Sequence, residues 1–282
     1  MPRIITLAFM FTLFFLWLPA ATEGRFMTEP DIHGQSLAFC YEGDIWTATI
    51  DGGPAVRLTN HPGEESRPHF SPDGRWIAFT GQYNRGEHVY LIPADGGVPS
   101  RLTWRSGAEV IGWTPDGTHV LFRAAWDADY RPITRFYRVS VTGAMPEALP
   151  LPRGVLASFS PDGRRLVYNR RGREEYNWKR YKGGQYQDIW LADLTSGDFT
   201  PLTEYVGKNA YPMWLGDSMF FLSDRDEQGI TNLYRYDFAT RNTTQITHYE
   251  DFDIHTPGCD GRFIVYVHSG WLHVLDTASF KP

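Results

Sequence analysis

The chain has 282 residues, 42% hydrophobic, 15% aromatic and 21% charged, enough apolar content to bury a sizeable core and too much for a disordered protein. A formal net charge of −6 offers nucleic acid or anionic lipid no general attraction. Two cysteines, Cys40 and Cys259, supply neither a disulfide framework nor the thiolates of a structural zinc site.

Arg3 precedes an uncharged apolar run, Ile4 to Leu18, which is followed by Pro19, Ala20, Ala21 and Thr22. That order of charge, apolar stretch and small residues is a secretory signal peptide, and the run is shorter than the roughly 20 residues that span a bilayer as a permanent anchor. The expectation is export, with residues 1–21 a cleaved leader and the mature chain of 261 residues periplasmic or secreted.

One pattern then recurs six times. Asp73-Gly74, Asp116-Gly117, Asp162-Gly163 and Asp260-Gly261 each lead into an alternating apolar strand ending in an aromatic: Phe79, Phe122, Tyr168 and Tyr266. His33-Gly34 and Gly216-Asp217 are weaker copies, leading to Phe39 and Phe221. The expected turn is a two-residue hairpin of the primed type, which needs positive φ. A second apolar pair follows in each copy, such as Ile45-Trp46 and Ile189-Trp190, and then a closing strand, such as Arg57-Leu58-Thr59, Arg101-Leu102-Thr103, Pro201-Leu202-Thr203 and Gln245-Ile246-Thr247. With the strand before each turn, the unit has four strands.

The turns are 40, 43, 46, 54 and 44 residues apart, and a period in the forties with four strands is a propeller blade. A lone four-stranded sheet cannot bury its apolar faces, whereas sheets packed radially bury both against their neighbours. The predicted fold is therefore all-β, a six-bladed propeller over residues 26–282, with blades at about 26–59, 60–103, 104–149, 150–203, 204–247 and 248–282. The repeated aromatics are expected in the core between blades. Only Thr277 to Pro282 follow the last apolar strand, so the sixth blade lacks most of its outer strand. An open sheet edge invites association, so either Phe26 to Pro30 pairs at that edge or the sequence is a piece of a longer protein, and the second reading is preferred.

The opening Glu29-Pro30-Asp31-Ile32-His33-Gly34, the blade-four run Asn177-Trp178-Lys179-Arg180-Tyr181-Lys182-Gly183-Gly184 and the blade-five run Tyr211-Pro212-Met213-Trp214 resemble the first propeller of tricorn-type proteases. The turns alone are shared with all TolB-like and WD40-like propellers. The resemblance implies a non-catalytic amino-terminal module of an exported tricorn-like serine peptidase. Such a module gates or guides oligopeptides and docks the protease domains of the same chain, with further copies of itself in a homo-oligomer as another candidate partner and with an alternative as a free-standing periplasmic TolB-like propeller that binds protein partners. The family pattern also places a basic pair in the loop opening blade three, where this chain has only Arg105.

Catalysis within the chain is not expected. No Gly-x-Ser-x-Gly elbow occurs, Ser71 and Ser160 are explained by their turns, and the histidines, including His61, His69 and His88, lack zinc-protease spacing. Neither a metal nor a cofactor is expected. One segment departs from this background: Arg170, Arg171, Arg173, Lys179, Arg180 and Lys182 face only Glu174 and Glu175, interleaved with Tyr176, Trp178, Tyr181 and Tyr186. Basic groups hold carboxylates by charge-assisted hydrogen bonds, and aromatics add stacking area. Trp178, Lys179, Arg180, Tyr181 and Lys182 are the candidates for peptide binding or domain docking, joined by Arg131 from a similar stretch, Trp126 to Arg135, in blade three. Cys40 and Cys259 lie in repeats that ring closure would make neighbours, but with Cys40 ending a strand and Cys259 in a turn no bridge is expected.

Overall fold

The computed structural model describes residues 24–127, 133–171 and 179–280. Among them there is no helix, and the strands form six antiparallel sheets in chain order. Sheet one is β1 (Thr28–His33), β2 (Ser36–Tyr41), β3 (Asp44–Thr49) and β4 (Val56–Arg57). Sheet two is β5 (Glu65–Phe70), β6 (Trp76–Gly81), β7 (His88–Pro93) and β8 (Ser100–Arg101), and sheet three is β9 (Ala108–Trp113), β10 (His119–Ala124), β11 (Arg135–Ser140) and β12 (Glu147–Ala148). Sheet four is β13 (Ala157–Phe159), β14 (Arg165–Asn169), β15 (Ile189–Asp193) and β16 (Phe199–Pro201). Sheet five is β17 (Asn209–Leu215), β18 (Ser218–Ser223), β19 (Asn232–Asp237) and β20 (Thr243–Gln245). The sixth sheet has three strands, β21 (His255–Cys259), β22 (Phe263–His268) and β23 (Trp271–Asp276), so the incomplete last blade is as expected. The expected leader, residues 1–21, lies outside the described residues.

The repeated aromatics fill the core. Phe39, Phe79, Phe122, Tyr168, Phe221 and Tyr266 are all buried, within apolar clusters that join one sheet to the next. Phe122, for example, packs with Val120 and Tyr137 of its own sheet and with Ala78, Val89 and Leu91 of the sheet before.

The Pro-Asp-Gly turns are not the two-residue primed turns expected from their sequence. Gly74 N–H donates to Ser71 O and Ser71 N–H to Trp76 O, so Ser71 to Arg75 form a longer loop in which Gly74, at φ +70°, has the positive dihedral while Asp73 does not. Asp73 serves instead as an acceptor: its Oδ1 takes the Ser71 hydroxyl proton at 2.6 Å and the Arg75 N–H at 3.1 Å. Asp116 repeats this with Thr114 and Thr118, and Asp162 with Ser160 and Arg164. The two weaker copies are the ones that make two-residue turns, pairing His33 with Ser36 and Leu215 with Ser218. The loops also nest: Gly74 sits against the His33 ring, Gly117 against Pro72 and Gly163 against Pro115, so each turn leans on the blade before it.

The closing strands are only two or three residues long, and in blades one, two, four and five what fixes them is the threonine that follows. Thr59, Thr103, Thr203 and Thr247 accept at Oγ1, at 2.9 to 3.0 Å, from the N–H of Ile45, Val89, Ile189 and Leu233. The recurring threonine is a latch between the third and fourth strands of the blade.

Among the described residues nothing covalent joins sheet six to sheet one. Phe26 N–H donates to Gly270 O, Glu29 N–H to Thr256 Oγ1 and Gly34 N–H to Asp260 Oδ2, while β1 packs on β21 and β22. The amino-terminal stretch thus enters the innermost strand of sheet one rather than pairing at the outer edge of β23. Cys40 and Cys259 are both free thiols, and Cys259 ends β21 instead of lying in a turn, because the chain extends as far as Asp260 before reversing.

Candidate functional site

The first strands of all six sheets line one cavity of about 470 Å³, which is the axis of the ring. Four of these strands share a device that the repeat pattern did not reveal. Glu29, Arg67, Tyr211 and Thr256 occupy the same place in β1, β5, β17 and β21; each precedes a proline, at 30, 68, 212 and 257, and each has positive φ, at 49°, 56°, 54° and 38°. At each the pairing register slips, so the strand carries a bulge. A proline cannot donate to a sheet ladder and is tolerated in a strand at a bulge, and positive φ is a strained conformation for these residues, at a cost of about 1–3 kcal/mol each. The sequence signal was available in prolines recurring inside runs that otherwise read as strands.

The wall of the cavity is divided. Every carboxylate, imidazole, guanidinium and thiol on it comes from blades six, one and two: Glu29, Asp31, His33, Arg67, His69, Cys259 and Asp260. Blades three, four and five contribute apolar and aromatic groups, chiefly Ile111, Trp113, Leu156, Phe159, Met213 and Trp214, with Tyr211 and small polar residues between them.

Asp31 is the most buried ionisable group of the charged half, at 5% exposure, and its Oδ2 accepts the Phe70 N–H at 2.7 Å. Burial pushes its carboxyl up to about 7, against the lowering effect of the Phe70 and Ile32 N–H groups. His69 Nδ1 is 3.9 Å from the other oxygen. Burial and the Asp31 and Asp260 carboxylates together push the Cys259 thiol up. Arg67 is committed outward: its guanidinium is 3.1 Å from Glu109, which also takes Arg123 at 2.6 Å, and Arg123 donates to Val155 O. This chain of charges ties blades two, three and four together. Among the described residues no group of three His, Cys, Asp or Glu side chains is placed to hold a metal ion.

The basic segment of blade four joins β14 to β15, and of its candidates Lys179, Arg180, Tyr181 and Lys182 are described, whereas Trp178, like Arg131 of blade three, lies outside the described residues. Lys179 Nζ reaches Asp253 of blade six at 3.1 Å, Arg180 donates to Gln228 O and lies against Gly229 of blade five, and Lys182 Nζ is 6.0 Å from the centre of the Tyr205 ring. Lys179, Arg180 and Tyr181 line a second cavity of about 240 Å³ with Lys208, Phe252 and His255. Strand direction places it at the end of the ring where the first strands begin, opposite the hairpin turns. Arg105, the lone basic residue of the blade-three opening, pairs with Asp127 at 3.1 Å and stacks on Trp126.

Comparison with known proteins fits this geometry. The family described as the tricorn protease N-terminal beta propeller domain matches residues 24–281. Tricorn protease homolog 1 of Streptomyces coelicolor is 31% identical over 262 residues, covering 92% of this chain and 24% of that protein. The putative tricorn protease homolog 2 of the same organism is 34% identical over 258 residues, covering 88% and 21%. Among solved structures, the crystal structure of the tricorn protease superimposes with a TM-score of 0.81 at 24% identity, over 91% of this chain and 26% of that one. The chain therefore spans about a quarter of the length of these curated relatives. With six radial sheets around one axis and a family match over nearly its whole length, the chain belongs to the tricorn protease N-terminal β-propeller family.

Proposed function

We propose that this chain is the non-catalytic propeller of an exported tricorn-like serine peptidase, guiding or gating oligopeptides at its axial cavity and docking the protease domains of the longer protein. The observation that carries the reading is the axial cavity itself, to which every blade contributes its first strand. The peptidase setting is supported by relatives named tricorn proteases that are about four times as long as the matched region. Hydrolysis is accordingly assigned to parts of the longer protein beyond the propeller. The blade-four segment, with Lys179, Arg180, Tyr181 and Lys182, is the surface proposed for docking or peptide contact, because its charges already bridge three blades. Export rests on the apolar leader at residues 1–21.

The test is to incubate the purified chain with mixed oligopeptides and follow both binding and peptide mass. Binding without cleavage is expected, and hydrolysis by the chain alone would end the reading. Intact mass of the protein recovered from periplasm or medium should show loss of the leader, and a cytoplasmic chain retaining Met1 would overturn export. A free-standing periplasmic propeller is the second reading, favoured by the Tol-Pal system protein TolB of Francisella tularensis, 25% identical over 189 residues. Sequencing the gene past the codon for Pro282 separates the two: continuation into further domains supports the peptidase, a stop codon the TolB-like protein.

A further inference from the structure

The division of the axial cavity has a chemical meaning that an oligopeptide channel alone does not require. A neutral, nonspecific conduit would scatter its charges, yet here all of them fall on one side and the opposite side is apolar and aromatic. The charged side is acidic in sum. Glu29, Asp31 and Asp260 stand against Arg67, which is paired with Glu109 off the cavity wall, and against His33 and His69, which carry charge only when protonated. Burial holds the Asp31 carboxyl at about 7, so beside an anion or a neutral apolar ligand it keeps its proton, and the Glu29 and Asp260 carboxylates still repel the anion. A cation beside Asp31 favours its ionised form, and an apolar body attached to that cation reaches Trp113, Phe159 and Tyr211 on the opposite wall. Aromatic faces carry a negative quadrupole and accept a cationic group at their edge of the site as well.

We propose that the axial cavity binds amphipathic cations, a protonated amine held by Asp31 and Asp260 with Glu29 beside them, and its apolar body on the wall of blades three to five. In a peptide this is the free amino terminus carrying an apolar first side chain; a small primary amine presents the same chemistry. The peptide form rests on the oligopeptide reading above, the amine form does not.

The experiment is calorimetric titration of the chain with four probes: phenylalanine amide, its N-acetyl derivative, a tetrapeptide beginning with phenylalanine, and the same tetrapeptide N-acetylated. Acetylation removes the positive charge and leaves the aromatic ring. Loss of one charge-assisted hydrogen bond predicts that each acetylated probe binds at least about tenfold more weakly. Asp31→Asn keeps an acceptor for the Phe70 N–H and removes the charge, and it should weaken the two charged probes by a similar factor while leaving the acetylated ones unchanged. Asp260→Asn should act in the same direction and stands in if Asp31→Asn does not fold. Tight binding of phenylalanine amide without the tetrapeptide would support the cation site and count against oligopeptides. Binding of both tetrapeptides with equal affinity would overturn the cation site and leave the oligopeptide reading standing, and no binding of any probe would overturn the cation site.

Discussion

Two places in the blade behave in opposite ways around the ring. At the latch, where the fourth strand meets the third, the same contact recurs in four blades: a threonine hydroxyl accepting an N–H fourteen residues earlier in sequence. At the innermost strand the backbone is nearly as repetitive, with its bulge before proline, but the side chain held there changes from Glu29 to Arg67 to Tyr211 to Thr256. A position that recurs is one the sheet needs in order to close. A position whose backbone recurs while its side chain varies is a mount, on which the molecule places different chemistry at a fixed radius.

If that distinction is sound, repeated positions should respond in stability and varied ones in binding. The largest effect is expected at Phe122, buried between blades two and three: Phe122→Ala should cost about 3–5 kcal/mol in urea unfolding. A loss below about 1 kcal/mol would mean that the blades do not share this core. Asp31, two residues beyond the Glu29 bulge, is the axial residue that should affect stability, and it should do so through pH. Its folded pKa, about 7, lies above its ordinary 3.8, so the unfolded chain gives up the proton first and stability falls as pH rises from about 4 to 7. Asparagine has no proton to lose, so the advantage of Asp31→Asn over the parent chain should grow across that window by up to about 4 kcal/mol. An advantage that is the same at both ends of the window would remove the buried carboxylate from the account.

Smaller effects follow. Thr103→Val leaves the buried Val89 N–H without its acceptor and should cost about 1–3 kcal/mol, with the axial site unaffected. Altered binding of charged probes in that variant would blur the line between latch and mount. Least of all should be Lys179→Ala. The Lys179 side chain is 62% exposed, and an ion pair of that kind contributes about 1 kcal/mol or less to folding. A change in thermal unfolding larger than the Thr103→Val effect would show that the blade-four segment is a structural strap rather than a surface.

The sequence made the blades readable because each is a local affair: alternation within a strand, a glycine at each turn and an aromatic at each strand end are all visible within some forty residues. Even so, the primed turn expected at Asp73, Asp116 and Asp162 is replaced by a longer loop, in which their carboxylates accept hydrogen bonds from the turn. The axial site was much less legible. Asp31 and Asp260 are 229 residues apart and become neighbours only when the ring closes, and nothing local says that Trp113 and Phe159 line the same cavity. The blade-four segment stood out because charge and aromatics were concentrated there, yet its partners Asp253 and Gln228 lie in later blades and had no local signal.

Among the described residues, the junction between sheets six and one is the single place in the ring with no peptide bond across it, secured by the Phe26, Glu29 and Gly34 amides and by side-chain packing. The molecule is in this respect a split washer. A load that pulls blades six and one apart meets only these contacts, whereas at every other junction it must also stretch continuous chain. Mechanical opening would therefore begin between blades six and one and expose the acidic side of the axis first, before any blade had lost its own sheet.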